Sequence, residues 1–236
     1  MQVLYEDNHI IAVSKTCHEI VQGDKTGDTP LSDIIKAYIK EKYQKPGEVF
    51  LGVTHRLDRP TTGVVLFART SKALTRLNKM FQSHEQICKT YWAIVEKNDK
   101  LLSDEAIRLE HYLWRNEKQN KSFVVKSGTK DAKRAVLSYK AIARGDRYTL
   151  LEINLETGRH HQIRCQLAAI GCPIKGDLKY GAKRSNPDGG ISLHARKIEF
   201  VHPVSKQQLS IIAPVPDTAL WHDLEQQSMG YKTKIS

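Results

Sequence analysis

Apolar positions along the chain follow two periods, and the shorter one dominates. Residues 3–5 and 9–14 read as strands joined across Glu6-Asp7-Asn8, a tight hairpin. Leu31, Ile34, Ile35, Tyr38 and Ile39 then recur at helical spacing with Lys36, Lys40 and Glu41 facing out, Thr29 at the capping position and Pro30 at the first helical one. A second apolar stripe, Leu74, Leu77, Met80 and Phe81, predicts a helix capped by Ser71. Strands prevail afterwards, over residues 90–95, 107–113, 122–125, 132–143 and 148–155. In the fourth of these, Ala135, Leu137, Tyr139 and Ala141 alternate with Arg134, Val136, Ser138 and Lys140, as a half-buried strand does. A helix over residues 160–170 stops at Gly171, with Pro173 just beyond, and strands over 192–201 and 208–212 complete a sheet-rich chain with few helices. Residues 183–190 read as a surface loop, and residues 217–236 as a tail frayed beyond Leu224.

Length and composition narrow this picture. With 236 residues and 40% hydrophobic content, the chain can bury a proper core, and the expectation is one domain over residues 1–216. Its 37 Lys and Arg exceed its 26 Asp and Glu, a formal charge of +11 that points to a polyanionic partner; simple solubility is the competing account. Four scattered cysteines include no C-x-x-C pair, which argues against zinc and a disulfide framework and suits a reducing cytoplasm. Acidic residues stand where a signal peptide carries its apolar core, and no apolar run reaches membrane-spanning length.

Two blocks carry candidate chemistry. In His55-Arg56-Leu57-Asp58-Arg59-Pro60-Thr61-Thr62-Gly63, one carboxylate stands between two guanidinium groups just before the apolar run Val64-Val65-Leu66-Phe67-Ala68. A carboxylate flanked this way stays ionised, so Asp58 suits a nucleophile or base and not a general acid; a salt-bridged turn before a strand is the plainer reading. In Thr157-Gly158-Arg159-His160-His161-Gln162-Ile163-Arg164, Gly158 and Arg159 fall where a strand gives way to a helix, which frees backbone N–H groups for an anion; an ordinary helix start is the alternative. Arg159 and Arg164 would occupy different helical faces. His160 and His161 would point about a quarter-turn apart with no third ligand at metal spacing, so no metal is expected. In Lys89-Thr90-Tyr91-Trp92-Ala93, Tyr91 is by default a core aromatic of a strand. Residues 118–147 hold nine lysines or arginines against Asp131 and Asp146, a candidate phosphate track that includes Lys133 and Arg134; a solvated strand face is equally open.

Together the two blocks resemble the catalytic signature of the RluA-type RNA pseudouridine synthases. The resemblance runs from about Val3 to Pro216, through Pro173-Ile174-Lys175-Gly176-Asp177-Leu178-Lys179-Tyr180-Gly181 and Leu193-His194-Ala195. It implies an α+β fold, a mixed and mostly antiparallel sheet with flanking helices and a central active-site cleft, and an isomerase that uses no cofactor or metal. Asp58 would then be the catalytic carboxylate, Arg164 its charge partner, and Tyr91 the ring that packs on the target uracil and takes its C5 proton. Arg56 would help displace the target base, with Arg59, Arg159, His160, Lys133 and Arg134 on RNA. Near the amino terminus the family's Lys-Pro-x-Gly turn reads Lys15-Thr16-Cys17-His18. The small S4 module that many relatives carry in front is expected to be missing, so that the domain's own surface reads the substrate. The expected partner is structured tRNA or rRNA, bound by a cytoplasmic monomer. Two rival functions stand beside this one: an RNA-binding module of the same fold in which catalysis has lapsed, and a nucleoside hydrolase using Asp58. The hydrolase lacks an evident water-activating partner.

Overall fold

The computed structural model describes all residues except 25–26, 84–85, 99–102 and 233–236. In chain order the elements are β1 (Gln2–Glu6), β2 (Ile10–Lys15), α1 (Leu31–Lys42), β3 (Gly52–Val53), β4 (Thr62–Ala68), α2 (Ser71–Ser83), β5 (Ile87–Glu96), β6 (Ile107–Asn116) and β7 (Lys121–Val125). There follow β8 (Lys133–Arg144), β9 (Tyr148–Leu155), α3 (Gln162–Ala169), a 3-10 turn at Leu178–Tyr180, β10 (Leu193–Val201), β11 (Gln208–Ile212) and α4 (Ala219–Lys232). The fold is α+β, with the strands in an open, mixed and mostly antiparallel sheet, as the period-two pattern implied. The chain divides into two compact units, Met1–Lys89 with Ala195–Pro214, and Thr90–His194 with Val215–Ser236.

In the first unit β1 and β2 form the expected hairpin, and β2 continues antiparallel to β4 from Ile10↔Ala68 to Lys15↔Gly63. Ile11 and Val13 of β2, Leu31, Ile35 and Ile39 of α1, and Val65 and Phe67 of β4 make its core, while α2 packs on β4. Both helix starts differ from the sequence reading. Pro30 is itself the N-cap, and neither it nor Thr29 supplies a side-chain cap bond among the described residues; the first amides of α1 bond to carbonyls of Ile20, Val21 and Pro30. At α2 the cap is Thr70, whose hydroxyl accepts the Ala73 N–H at 3.2 Å, one residue before the expected Ser71.

In the second unit the strand order is β5-β9-β8-β6-β7, each neighbouring pair antiparallel, with an irregularity in β8 between Ala141 and Ala143. Residues 217–236, expected as a tail frayed beyond Leu224, instead carry α4. Trp221 and Leu224 are buried against Ile142 and Ala143 of β8 and Leu150 of β9, so apolar burial holds the first turns of α4 in place. The helix expected from His160 begins two residues later, because His161 adopts a left-handed φ of 51° that breaks the helical path.

Candidate active site

Asp58 lies in an irregular segment between β3 and β4. Leu57 packs against the α1 core cluster, Arg56 is exposed and Asp58 is half-buried. Two residues of the segment bond the backbone of β4 directly: the His55 Nε2 accepts the Leu66 N–H at 3.0 Å, and the Thr54 hydroxyl donates to the Leu66 carbonyl at 2.5 Å. The His55 ring stacks on Phe81 of α2, with centroids 4.7 Å apart. Burial pushes this imidazole down to about 3, and the nearby Lys89 charge pushes the same way. His55 is therefore a neutral acceptor that fixes the segment, not a proton carrier. At the far end Gly63 has a φ of +116°, and any Cβ there would fall 2.3 Å from the Ala195 carbonyl oxygen, so only glycine fits.

The residue that ties the segment down is one that sequence reasoning missed. Lys15 ends β2 with 1% of its surface exposed, and its ammonium donates to the carbonyls of Thr16 (2.8 Å), Asp58 (3.3 Å), Arg59 (2.8 Å) and Thr61 (2.7 Å). Carbonyl dipoles thus replace the water that the ammonium lost on burial. Burial pulls Lys15 down to about 8, opposed by the charges of Glu19, Cys17 and Asp58. Its sequence signals are a lysine closing an otherwise inward-facing strand and its match to the lysine of the Lys-Pro-x-Gly turn, neither of which pointed to Asp58. Of the two arginines expected to flank Asp58, Arg59 directs its guanidinium to Asp28 at 2.6 Å and Asp24 at 3.8 Å, acids that the linear motif did not implicate.

The other predicted site residues belong to the second unit. Arg164, on α3, makes a two-pronged ion pair with Asp177, Nε to Oδ2 at 2.6 Å and Nη2 to Oδ1 at 2.8 Å, with both side chains buried. Its guanidinium also lies over the Tyr180 ring, 5.1 Å from the centroid. The Tyr180 hydroxyl accepts the Ser122 N–H at 2.8 Å and stands 2.9 Å from His161 Nδ1. With its oxygen accepting from Ser122, the Tyr180 hydroxyl can donate to Nδ1 when the imidazole is neutral. Burial first, and the Arg164 charge second, push His161 down to about 2. His160 stacks on His161, centroids 3.8 Å apart and planes at 21°, and reaches Ser122 through Nδ1 and Asn120 through Nε2. The quarter-turn separation expected of these rings does not occur, since both residues precede α3. Among the described residues no group of three His, Cys, Asp or Glu is placed to hold a metal.

In the expected anion cradle at Gly158 and Arg159, the Arg159 N–H is already taken. Gln162 Oε1 accepts the Arg159 N–H at 2.9 Å and the Thr157 hydroxyl at 2.8 Å, while Arg159 Nε donates to the Arg134 carbonyl at 2.9 Å. Tyr91 lies on β5 opposite Ile153, 9% exposed. On β8, Lys133 is exposed, but Arg134 is held by both oxygens of Glu110 at 2.6 and 2.9 Å. Lys140 pairs with Glu152 at 3.5 Å and Arg144 with Asp104 at 2.8 Å. Three of the nine basic residues read as a phosphate track are thus faced by acids that lie outside residues 118–147.

Comparison with known proteins follows the same lines. The family described as RNA pseudouridylate synthase matches residues 9–169. An uncharacterized RNA pseudouridine synthase, YlyB, of Bacillus subtilis is 30% identical over 92% of this chain and 70% of its own length. Ribosomal large subunit pseudouridine synthase D of Xylella fastidiosa is 31% identical over 92% of this chain, which spans only 66% of that protein. tRNA pseudouridine synthase C of Vibrio parahaemolyticus is 30% identical over 95% of this chain and 93% of its own. Among solved structures, human RNA pseudouridylate synthase domain containing 4 superposes with a TM-score of 0.75 at 21% identity, covering 98% of this chain and 92% of that one, a likeness of fold.

Proposed function

The chain belongs to the RNA pseudouridylate synthase family of RluA type, a family of isomerases, and on that premise we propose that it converts particular uridines of structured ribosomal or transfer RNA to pseudouridine, with Asp58 as the catalytic carboxylate. The observation that carries the assignment is the fixing of the Asp58 segment. A buried ammonium, a neutral imidazole and a glycine that no other residue can replace hold a half-buried carboxylate in place. The reaction breaks the bond from ribose C1′ to uracil N1, turns the base, forms the bond from C1′ to C5, and moves the C5 proton away while N1 gains one. Asp58 acts as nucleophile or base in the first step. Tyr91 packs on the uracil and receives the C5 proton, and Arg164, held by Asp177, contributes positive charge. Arg56 displaces the target base, and Arg59, Arg159, His160, Lys133 and Arg134 meet the RNA. Relatives named for the large ribosomal subunit and for tRNA support these two RNA classes. The protein works as a cytoplasmic monomer; its four unbridged cysteines support a reducing compartment.

The test is conversion of RNA taken from cells that lack this protein. Incubation with the purified chain should remove uridine at discrete positions and yield a nucleoside of identical mass and different chromatographic retention. Unchanged uridine alongside tight RNA binding would favour the lapsed binding module, and free uracil would favour the hydrolase.

A further inference from the structure

Outside the residues assigned to catalysis, the first unit carries a groove of about 630 Å³ beside α2. Arg76 and Lys79 of α2 line it together with Lys206, from the turn between β10 and β11, over an apolar floor of Met80, Val201 and Pro203. Arg76 is oriented, since its Nη1 donates to the Pro203 carbonyl at 2.7 Å. Lys79 and Lys206 are exposed and make no ion pair with a described residue. Glu199 is the single acid among the described lining residues, and Lys197 on the same strand already faces it at 2.8 Å. The contrast with β8 is direct: there acids oppose Arg134, Lys140 and Arg144, whereas here no described acid pairs with Lys79 or Lys206. The groove shares α2 with the Asp58 segment, because Phe81 of that helix carries the stacked His55.

We propose that this groove binds the phosphate backbone of the substrate RNA away from the target nucleotide, a step that rests on the RNA-acting reading above. Net positive charge on a groove without an aromatic ring among its described lining residues suits sequence-independent phosphate contact and not base stacking. An acidic protein segment is the other polyanion to be tested.

Cys88 lines the groove and is exposed, while Cys17, Cys165 and Cys172 are buried. Burial also raises the Cys165 thiol to about 11 and raises Cys172, so alkylation of the folded protein reads Cys88. A labelled oligouridylate of roughly twenty nucleotides serves as the binding probe. RNA should slow iodoacetamide labelling of Cys88 in the wild-type protein. In the K79Q/K206Q variant, which changes only exposed side chains, the slope of log affinity against log salt should fall by about 1.4, since each single-strand phosphate contact contributes about 0.7. An unchanged slope, a Cys88 labelled at the same rate with RNA present, or a polyglutamate of equal charge competing as well as RNA would each overturn the proposal. Turnover is measured on the same preparation: wild-type turnover with an unchanged slope rejects the groove alone, and a reduced slope without wild-type turnover rejects the isomerase reading alone.

Discussion

The Asp58 segment of the first unit and the Arg164 shell of the second are fixed by opposite means. Around Asp58 the chain has no regular structure, and one buried ammonium gathers four backbone carbonyls, so the grip is on the main chain. Around Arg164 the grip is on side chains, a paired guanidinium and carboxylate backed by Tyr180, His161 and Ser122. A main-chain grip does not draw on the neighbouring side chains. A side-chain network specifies one arrangement and fails when a member is lost. The difference is measurable.

The largest effect should come from Arg164→Met, which strands the buried Asp177 carboxylate; a loss of about 3–5 kcal/mol in denaturant unfolding is expected. A loss within experimental error would show that the pair does not hold the second unit together. Acid should act on both regions at once. His55 and His161 ordinarily titrate at 6.5 but are pushed to about 3 and about 2, so below pH 6.5 the unfolded chain takes up protons that the folded one refuses. The stability these two rings contribute is complete above that pH and falls with further acid, at up to about 2.7 kcal/mol per pH unit for two protons. His161→Gln should lower the steepness by about one proton, which unfolding titrations can check.

Lys15→Met should cost on the order of 2 kcal/mol through stranded carbonyls, and should cut kcat more than KM because the Asp58 segment loosens. Alkali offers the same test without mutation. Lys15 has a folded value of about 8 against 10.5 in the unfolded chain, so its contribution to stability rises with pH between those values, because the unfolded chain holds the extra proton there. A fall in kcat above pH 8 without unfolding is therefore the expected signature, and it should vanish in Lys15→Met. Smallest of all, Tyr180→Phe should cost about 1 kcal/mol, through the lost acceptor for the Ser122 N–H and the lost partner of His161.

Much of the fold was legible because strands announce themselves by period: β1, β2, β8, β9 and β11 fall within a residue or two of their expected bounds. Helix ends were less so. Backbone carbonyls and Thr70 serve the first turns of α1 and α2, and a left-handed His161 delays α3, all of which depend on local geometry more than on composition. The C-terminal residues looked like a tail because a polar helix with a few buried anchors, Trp221 and Leu224, has a weak pattern. Partners were the hardest to foresee. Arg134 sits opposite Tyr112, one diagonal step from Glu110, and only strand register brings that acid to it. Lys15 and Asp177 were visible as letters, yet what they hold depends on residues 43 to 46 positions and 13 positions away.

The central claim is that Asp58 supplies the reactive carboxylate in a segment held by its main chain, and Asp58→Asn tests this most directly. The change keeps the shape while it removes the charge and turns one acceptor oxygen into an N–H donor. Single-turnover conversion of RNA from cells lacking the protein, measured with binding on the same preparation, should show no pseudouridine and an affinity close to wild type. Conversion above about a tenth of the wild-type rate, one factor of ten or 1.4 kcal/mol of transition-state stabilisation, would contradict it.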